Sequence, residues 1–336
     1  MSIFDEGTDE DAIIEILVNR NLSQRQEIKT TYKSTIGRHF HQGRRESFPL
    51  VLSAGAFLWL TSGVAVGPFS RQTPCRRQAS IMRYLLHLAS SSQQDLMNDL
   101  KSELSGKFER VIIGLMTPIT LYDVEELKRA MKGAGTDEGC LIEILASRTN
   151  EEIRRINETY KHREYKTHAA GQPRREPCLY EAGENRWGTD EGQFMTVLCS
   201  RNRSHLLRET ASLRSNNKCS FSFPVFDEYR KIADKDITES IKSEMSGDLE
   251  DALLAIVKCM RNKTAYFAER LYKSMKGLGT DDDTLIRVMV SRCEIDMIDI
   301  KAEFKRMYGN SLYSFIKGDT SGDYRKVLLH LCGGED

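Results

Sequence analysis

The sequence predicts an all-α protein built as an array of repeats, and three observations carry that expectation. A box of Gly-Thr-Asp-acid occurs four times, as Gly7-Thr8-Asp9-Glu10, Gly135-Thr136-Asp137-Glu138, Gly188-Thr189-Asp190-Glu191 and Gly279-Thr280-Asp281-Asp282. Behind the second box, Leu141, Ile142 and Leu145, then Ile153, Ile156 and Tyr160, recur at spacings of three and four, the period of an amphipathic helix. A second signature, an acid followed by x-Ser-Gly, recurs downstream as Glu103-Leu104-Ser105-Gly106, Glu244-Met245-Ser246-Gly247 and Asp319-Thr320-Ser321-Gly322. Self-similarity of this kind marks a repeat architecture.

The Thr of each box suits a helix N-cap, and the acids after it fall in the first turn, facing the positive end of the helix dipole. The helices behind the first and second boxes are copies: residues 7–33 and 135–161 match without gaps at 13 of 27 positions. The acid of the second signature stands just before a Ser-Gly helix entry, followed by an apolar run such as that ending Val327-Leu328-Leu329-His330-Leu331. From Gly279 to Asp319 is 40 residues, from Gly7 to Glu103 it is 96, and from Gly188 to Glu244 it is 56.

Two inserts account for the excess. Residues 39–94 number 56 and resemble no other repeat, so their removal restores 40. In the third repeat about 16 residues near 208–224 are extra by the same comparison. The second repeat differs, because Arg175 stands 40 residues after Gly135 and no acid-x-Ser-Gly is near. Residues 162–177 lack periodicity and read as a loop. The expected organisation is therefore repeat one over 1–116 with the insert 39–94, repeat two over 117–178 without its second half, repeat three over 179–259, and a complete repeat four over 260–336. Proteolysis near Arg71, Arg76 and Arg77 is expected of the first insert.

Composition narrows the function. Lys plus Arg and Asp plus Glu are 49 each, so no global field draws the chain to nucleic acid or lipid, and attraction to an anionic surface must be local or supplied by a bound cation. Eight cysteines without a C-x-x-C pair fit a reducing, cytoplasmic setting. His39 and His41 have no second pair of ligands at zinc spacing. H-E-x-x-H, G-x-S-x-G and G-x-x-x-x-G-K-[ST] are missing, which points away from an enzyme.

Gly277-Leu278-Gly279 and Gly133-Ala134-Gly135 each join two helical stretches, and glycines let the backbone turn its carbonyls toward one point. Calcium takes 6 to 8 oxygens from carbonyls, a carboxylate and water. The same glycines also suit a helix end followed by a cap with solvated acids, and spacing alone leaves both readings open.

The motif Met-Lys-Gly-x-Gly-Thr, present at residues 131–136 and 275–280, with an acid near 40 residues on and the Ser-Gly helix start, resembles the annexin family. This resemblance implies four repeats of about five helices, with calcium loops facing phosphatidylserine-rich membranes. It implies metal ligands Met275, Gly277, Gly279 and Asp319 in repeat four, and Gly183, Arg186, Gly188 and Glu244 in repeat three. Repeat one keeps Gly7 and Glu103, with Asp5 in place of its first glycine and its first helix removed. Repeat two keeps Met131, Gly133 and Gly135 without an acid. Trp187, in the repeat-three loop, is then a membrane contact. Calcium is the implied cofactor and acidic phospholipid membranes the implied partner, with self-association on the membrane. The alternatives are a calcium-independent helical scaffold for protein partners, or an integral protein anchored by residues 47–70, a charge-free stretch long enough to span a bilayer.

Overall fold

The structure, a computed structural model, describes residues 10–41, 95–132, 135–168, 226, 230–231 and 234–335, with side chains of 34–41 and 164–168 left aside. Fourteen helices and no strand occur among the described residues. They are α1 (Glu10–Ile13), which runs into a π-turn (Ile14–Val18), α2 (Leu22–His41), α3 (Leu96–Glu103), α4 (Gly106–Leu115), α5 (Ile119–Ala130), α6 (Glu138–Ser147) and α7 (Asn150–His168), followed by α8 (Ile237–Glu244), α9 (Gly247–Arg261), α10 (Lys263–Met275), α11 (Asp282–Arg292), α12 (Met297–Tyr308), α13 (Leu312–Asp319) and α14 (Gly322–Cys332).

The chain divides into two compact units, residues 1–118 with 270–336 and residues 119–269. In the first unit α4 packs on α11, on α14 and on the π-turn, and α12 packs on α13 and α14. Its core includes Val111, Ile112, Leu285, Val288, Phe304, Ile316 and Val327, each fully buried. Aromatic rings finish one end: Tyr272 stacks on Tyr308 with centroids 3.7 Å apart, and Phe304 meets Phe315 edge-on at 5.2 Å. Arg25 is buried in the same unit, its guanidinium donating to the carbonyls of Leu17 at 2.6 Å and Leu115 at 3.2 Å and pairing with Glu294 at 2.7 Å. A buried cation of this kind is tolerated because each donor has an acceptor.

In the second unit α5 packs on α6 and α7, α6 on α9, and α8 on α9. Val124, Leu127, Ile144 and Ile156 form one cluster, and Phe226, Ile241, Leu253 and Val257 another. Arg148 and Asp123 make a bidentate buried pair, Nε to Oδ2 at 2.7 Å and Nη2 to Oδ1 at 2.8 Å, which ties the end of α6 to α5.

Three expectations change. Residues 162–168, expected as loop, continue α7; they carry no apolar stripe, but no Gly or Pro interrupts them until Gly171, and residues such as Arg, Glu and Lys sustain a helix without burial. Likewise α2 runs on through His41, three residues into the segment assigned to the insert. In α6 the buried face is Cys140, Glu143, Ile144 and Ser147, whereas Leu145 of the expected stripe is exposed. No described helix is long and apolar enough to cross a membrane, and residues 47–70 lie outside the described ones.

Candidate functional site

The three acid-x-Ser-Gly signatures form three identical corners. Glu103, Glu244 and Asp319 are the last residues of α3, α8 and α13. After each, an extended residue closes the helix through its own N–H, Leu104 to the Leu100 carbonyl, Met245 to Ile241 and Thr320 to Ile316. An extended serine follows, and then Gly106, Gly247 or Gly322 opens the next helix at φ +64°, +65° and +61°. A side chain at that φ would be strained, so the glycine is dictated by the turn. Each corner leaves a carboxylate at the negative end of a helix dipole, offset in part by Lys101, Lys242 or Lys317 two residues earlier. A bound cation would relieve the remaining repulsion.

The loop between α10 and α11 supplies the other half of a site. Gly277 and Gly279 stand at φ +120° and +91°, and the loop is drawn shut by the Asp281 N–H donating to the Ser274 carbonyl at 2.7 Å. Leu278, between the two glycines, is fully exposed at the tip. Met275 is buried at the loop's base. Asp319, 39 residues beyond Thr280, meets this loop: the Thr280 hydroxyl donates to Asp319 Oδ2 at 2.5 Å.

Thr280 was expected to cap α11, and that expectation is corrected. Asp281 is the cap, its carboxylate accepting from the Thr284 N–H at 3.1 Å. In the second repeat Asp137, not Thr136, accepts from the Cys140 N–H at 2.9 Å. Either side chain can cap a helix. The backbone bonds from Asp281 to Ser274 and from Asp137 to Ala130 put the aspartate at the cap position and move the threonine one place outside it.

The remaining expected residues are placed unevenly. Gly135 has φ +131° and its loop closes by the Asp137 N–H to the Ala130 carbonyl at 2.9 Å, but Met131 is exposed and Gly133 is outside the described residues. Glu103 and Glu244 are exposed at their corners. Gly7, Gly183, Arg186, Trp187 and Gly188 lie outside the described residues.

Within the first unit, Glu103 and Asp319 line one cleft of about 390 Å³, together with Glu10, Asp282 and Asp323. Lys107 pairs with Asp282 at 2.5 Å and faces the Tyr324 ring at 5.7 Å. Burial, and then the charge of Asp282, push the Tyr324 hydroxyl well above its usual range, so it stays protonated. Sequence spacing did not foresee that the acids of repeats one and four share a cleft.

Among the described residues, no three His, Cys, Asp or Glu side chains converge to hold a metal. A cation held at the α10–α11 loop therefore relies on backbone oxygens with one carboxylate, a donor set that fits a hard ion such as calcium.

Comparison with known proteins agrees with a helical repeat fold. The annexin family model matches residues 2–42, 122–167, 223–256 and 266–331. Annexin A4 of Bos taurus is 54% identical, covering 98% of this chain and 91% of that protein. The solved structure of chicken annexin V is similar at 40% identity and a TM-score of 0.66, over 98% of this chain and 92% of that one. A structure of calcium-bound annexin (Sm)1 aligns at 26% identity and a TM-score of 0.65, over 99% and 87%. The helical repeats of this chain have the annexin fold, and the chain is a member of the annexin family.

Proposed function

We propose that this protein docks peripherally on acidic, phosphatidylserine-containing membranes through calcium held at the α10–α11 loop, and that it is a binding protein rather than an enzyme. The observation that carries this reading is the meeting of two distant pieces of chain, the loop with Gly277 and Gly279 at positive φ and the Asp319 carboxylate at the end of α13. The carbonyls of Met275, Gly277 and Gly279 with the Asp319 carboxylate would hold the ion. Calcium, when bound, supplies open coordination positions that a lipid phosphate can fill.

One carboxylate is little charge, so calcium alone binds weakly, with Kd roughly 10⁻⁵ to 10⁻³ M. Lipid and ion then strengthen each other's binding, as linkage requires. Leu278 at the exposed tip would enter the interfacial region, adding apolar contact. Repeats one to three would contribute less, through Gly7 with Glu103, through Gly183, Arg186 and Gly188 with Glu244 and Trp187, and through Met131, Gly133 and Gly135. In this reading the protein is cytoplasmic, moves to vesicle membranes when calcium rises, and serves trafficking or membrane organisation, with self-association on the surface.

Pelleting with phosphatidylserine vesicles, with and without calcium, tests it. Calcium-dependent pelleting reversed by chelator is expected. Failure to pellet in either condition would leave a protein scaffold, and association without calcium that only detergent releases would mean an anchor; each overturns the proposal.

A further inference from the structure

We infer that Thr280 is the positioning residue of the calcium carboxylate, holding Asp319 in its binding rotamer before the ion arrives; this rests on the calcium reading above. The geometry is specific. The Thr280 hydroxyl lies 2.5 Å from Asp319 Oδ2 and 3.3 Å from the Asp319 backbone carbonyl. A hydroxyl has one proton, and the nearer, charged oxygen takes it. The hydroxyl is free for this because Asp281 accepts the Thr284 N–H and so relieves Thr280 of the cap.

The bond joins the loop after α10 to the last residue of α13, so it fixes the distance between the two halves of the site as well as the carboxylate's orientation. It does not compete with the ion. A carboxylate offers about four lone-pair positions, and one hydroxyl occupies one of them. What the bond removes is the freedom of an Asp side chain at a helix end, where the dipole would otherwise turn the charge toward water. Preorganisation of this kind raises affinity by lowering the ordering cost of binding.

The test uses the full chain and phosphatidylserine vesicles, with calcium titrated to half-maximal pelleting. Thr280→Val removes the hydroxyl at nearly constant shape, and should raise the calcium required about threefold to tenfold, the range of one lost charge-assisted hydrogen bond at a half-exposed site. Thr280→Ser keeps the hydroxyl and should titrate within about twofold of the unsubstituted chain. Thr280→Ala serves as a second hydroxyl-free variant if valine is not accommodated.

Hydrogen exchange on the calcium-free chain gives a second readout: Thr280→Val should exchange faster at both residues 275–281 and 317–321, and Thr280→Ser should not. A merely structural staple would speed exchange but leave the calcium titration unmoved, which overturns the inference. So would a serine variant as impaired as valine. If the unsubstituted chain shows no calcium-dependent pelleting at all, the underlying function falls and this inference with it, a result separable from unchanged titration of Thr280→Val.

Discussion

The loops after α5 and after α10 carry one motif and end differently. Both read Met-Lys-Gly-x-Gly-Thr-Asp. Both close by an Asp N–H to a carbonyl seven residues back, and both use that Asp to cap the next helix. Yet Met275 is 5% exposed and Met131 46%. The Thr280 hydroxyl holds Asp319, whereas Thr136 is exposed and, among the described residues, no distant carboxylate reaches it. The loop shape is a local property of seven residues. Completion of the site depends on helices that come later, and of these two loops the one after α10 is met by such an acid, Asp319 at the end of α13.

The largest effect is expected from removal of the returning acid. Asp319→Asn is expected to raise the calcium needed for vesicle pelleting by about tenfold or more, since the carboxylate proposed to hold the ion would become a neutral amide. Glu103→Gln and Glu244→Gln should shift it less, because 96 residues separate Gly7 from Glu103 and 56 separate Gly188 from Glu244, against 40 from Gly279 to Asp319. Equal losses for the three variants would show that the repeats contribute alike.

A paired glycine substitution sharpens the point. Gly279→Ala and Gly135→Ala both place a side chain at positive φ, +91° and +131°, with nothing within 4 Å to clash, so the cost is backbone strain alone. Each should lower stability by about 1 to 2 kcal/mol, read as a loss in the urea midpoint. Gly279→Ala should also move the calcium titration, and Gly135→Ala should move it far less. A matching shift from Gly135→Ala would mean that the loop without an acid binds the ion after all.

A smaller effect is expected at the tip. Leu278→Ser should weaken vesicle binding by a few fold at saturating calcium, from lost apolar burial, and leave thermal stability unchanged because the side chain is fully exposed. Unaltered binding would place the tip outside the lipid interface.

The smallest lies in the second unit, at the helix leading to Glu244. Burial works against the charge of Asp236, but hydrogen bonds from Arg261 and Thr238 outweigh it and hold the carboxyl down at about 2. A depressed carboxyl contributes stability above its unfolded value near 3.9, and that contribution is lost as pH falls toward 2. Asp236→Asn should therefore unfold at lower temperature than the unsubstituted chain at pH 5, with the gap narrowing between pH 4 and 2. A gap constant across that window would show that the capping bond acts through shape alone.

The helical class was legible because burial of one face imposes a three-to-four spacing on neighbouring residues. The Ser-Gly corners and the glycine loops were legible for a similar reason, since a positive φ excludes nearly every other residue at Gly106, Gly247, Gly279 and Gly322. These are short-range constraints, and short-range constraints are written in the residues themselves. The sequence spacing of 40 also pointed to Asp319 as the partner of its loop, and the Thr280 hydroxyl donates to that carboxylate.

Other features required the packed chain. Whether threonine or aspartate caps α11 depends on where the loop's backbone bond to Ser274 sets the first turn, and both residues fit the local pattern. Continuation of α7 to His168 needed no apolar stripe, so periodicity missed it. The cleft that Glu103 shares with Asp319 follows from which distant helices come to lie side by side in the first unit. Most helices, their corners and the glycine positions were readable from the residues alone, because dihedral preference and period fix them within a few residues. Which hydroxyl holds the Asp319 carboxylate was left to the packed chain, because that contact joins residues 39 apart and the packing of the helices between sets the distance.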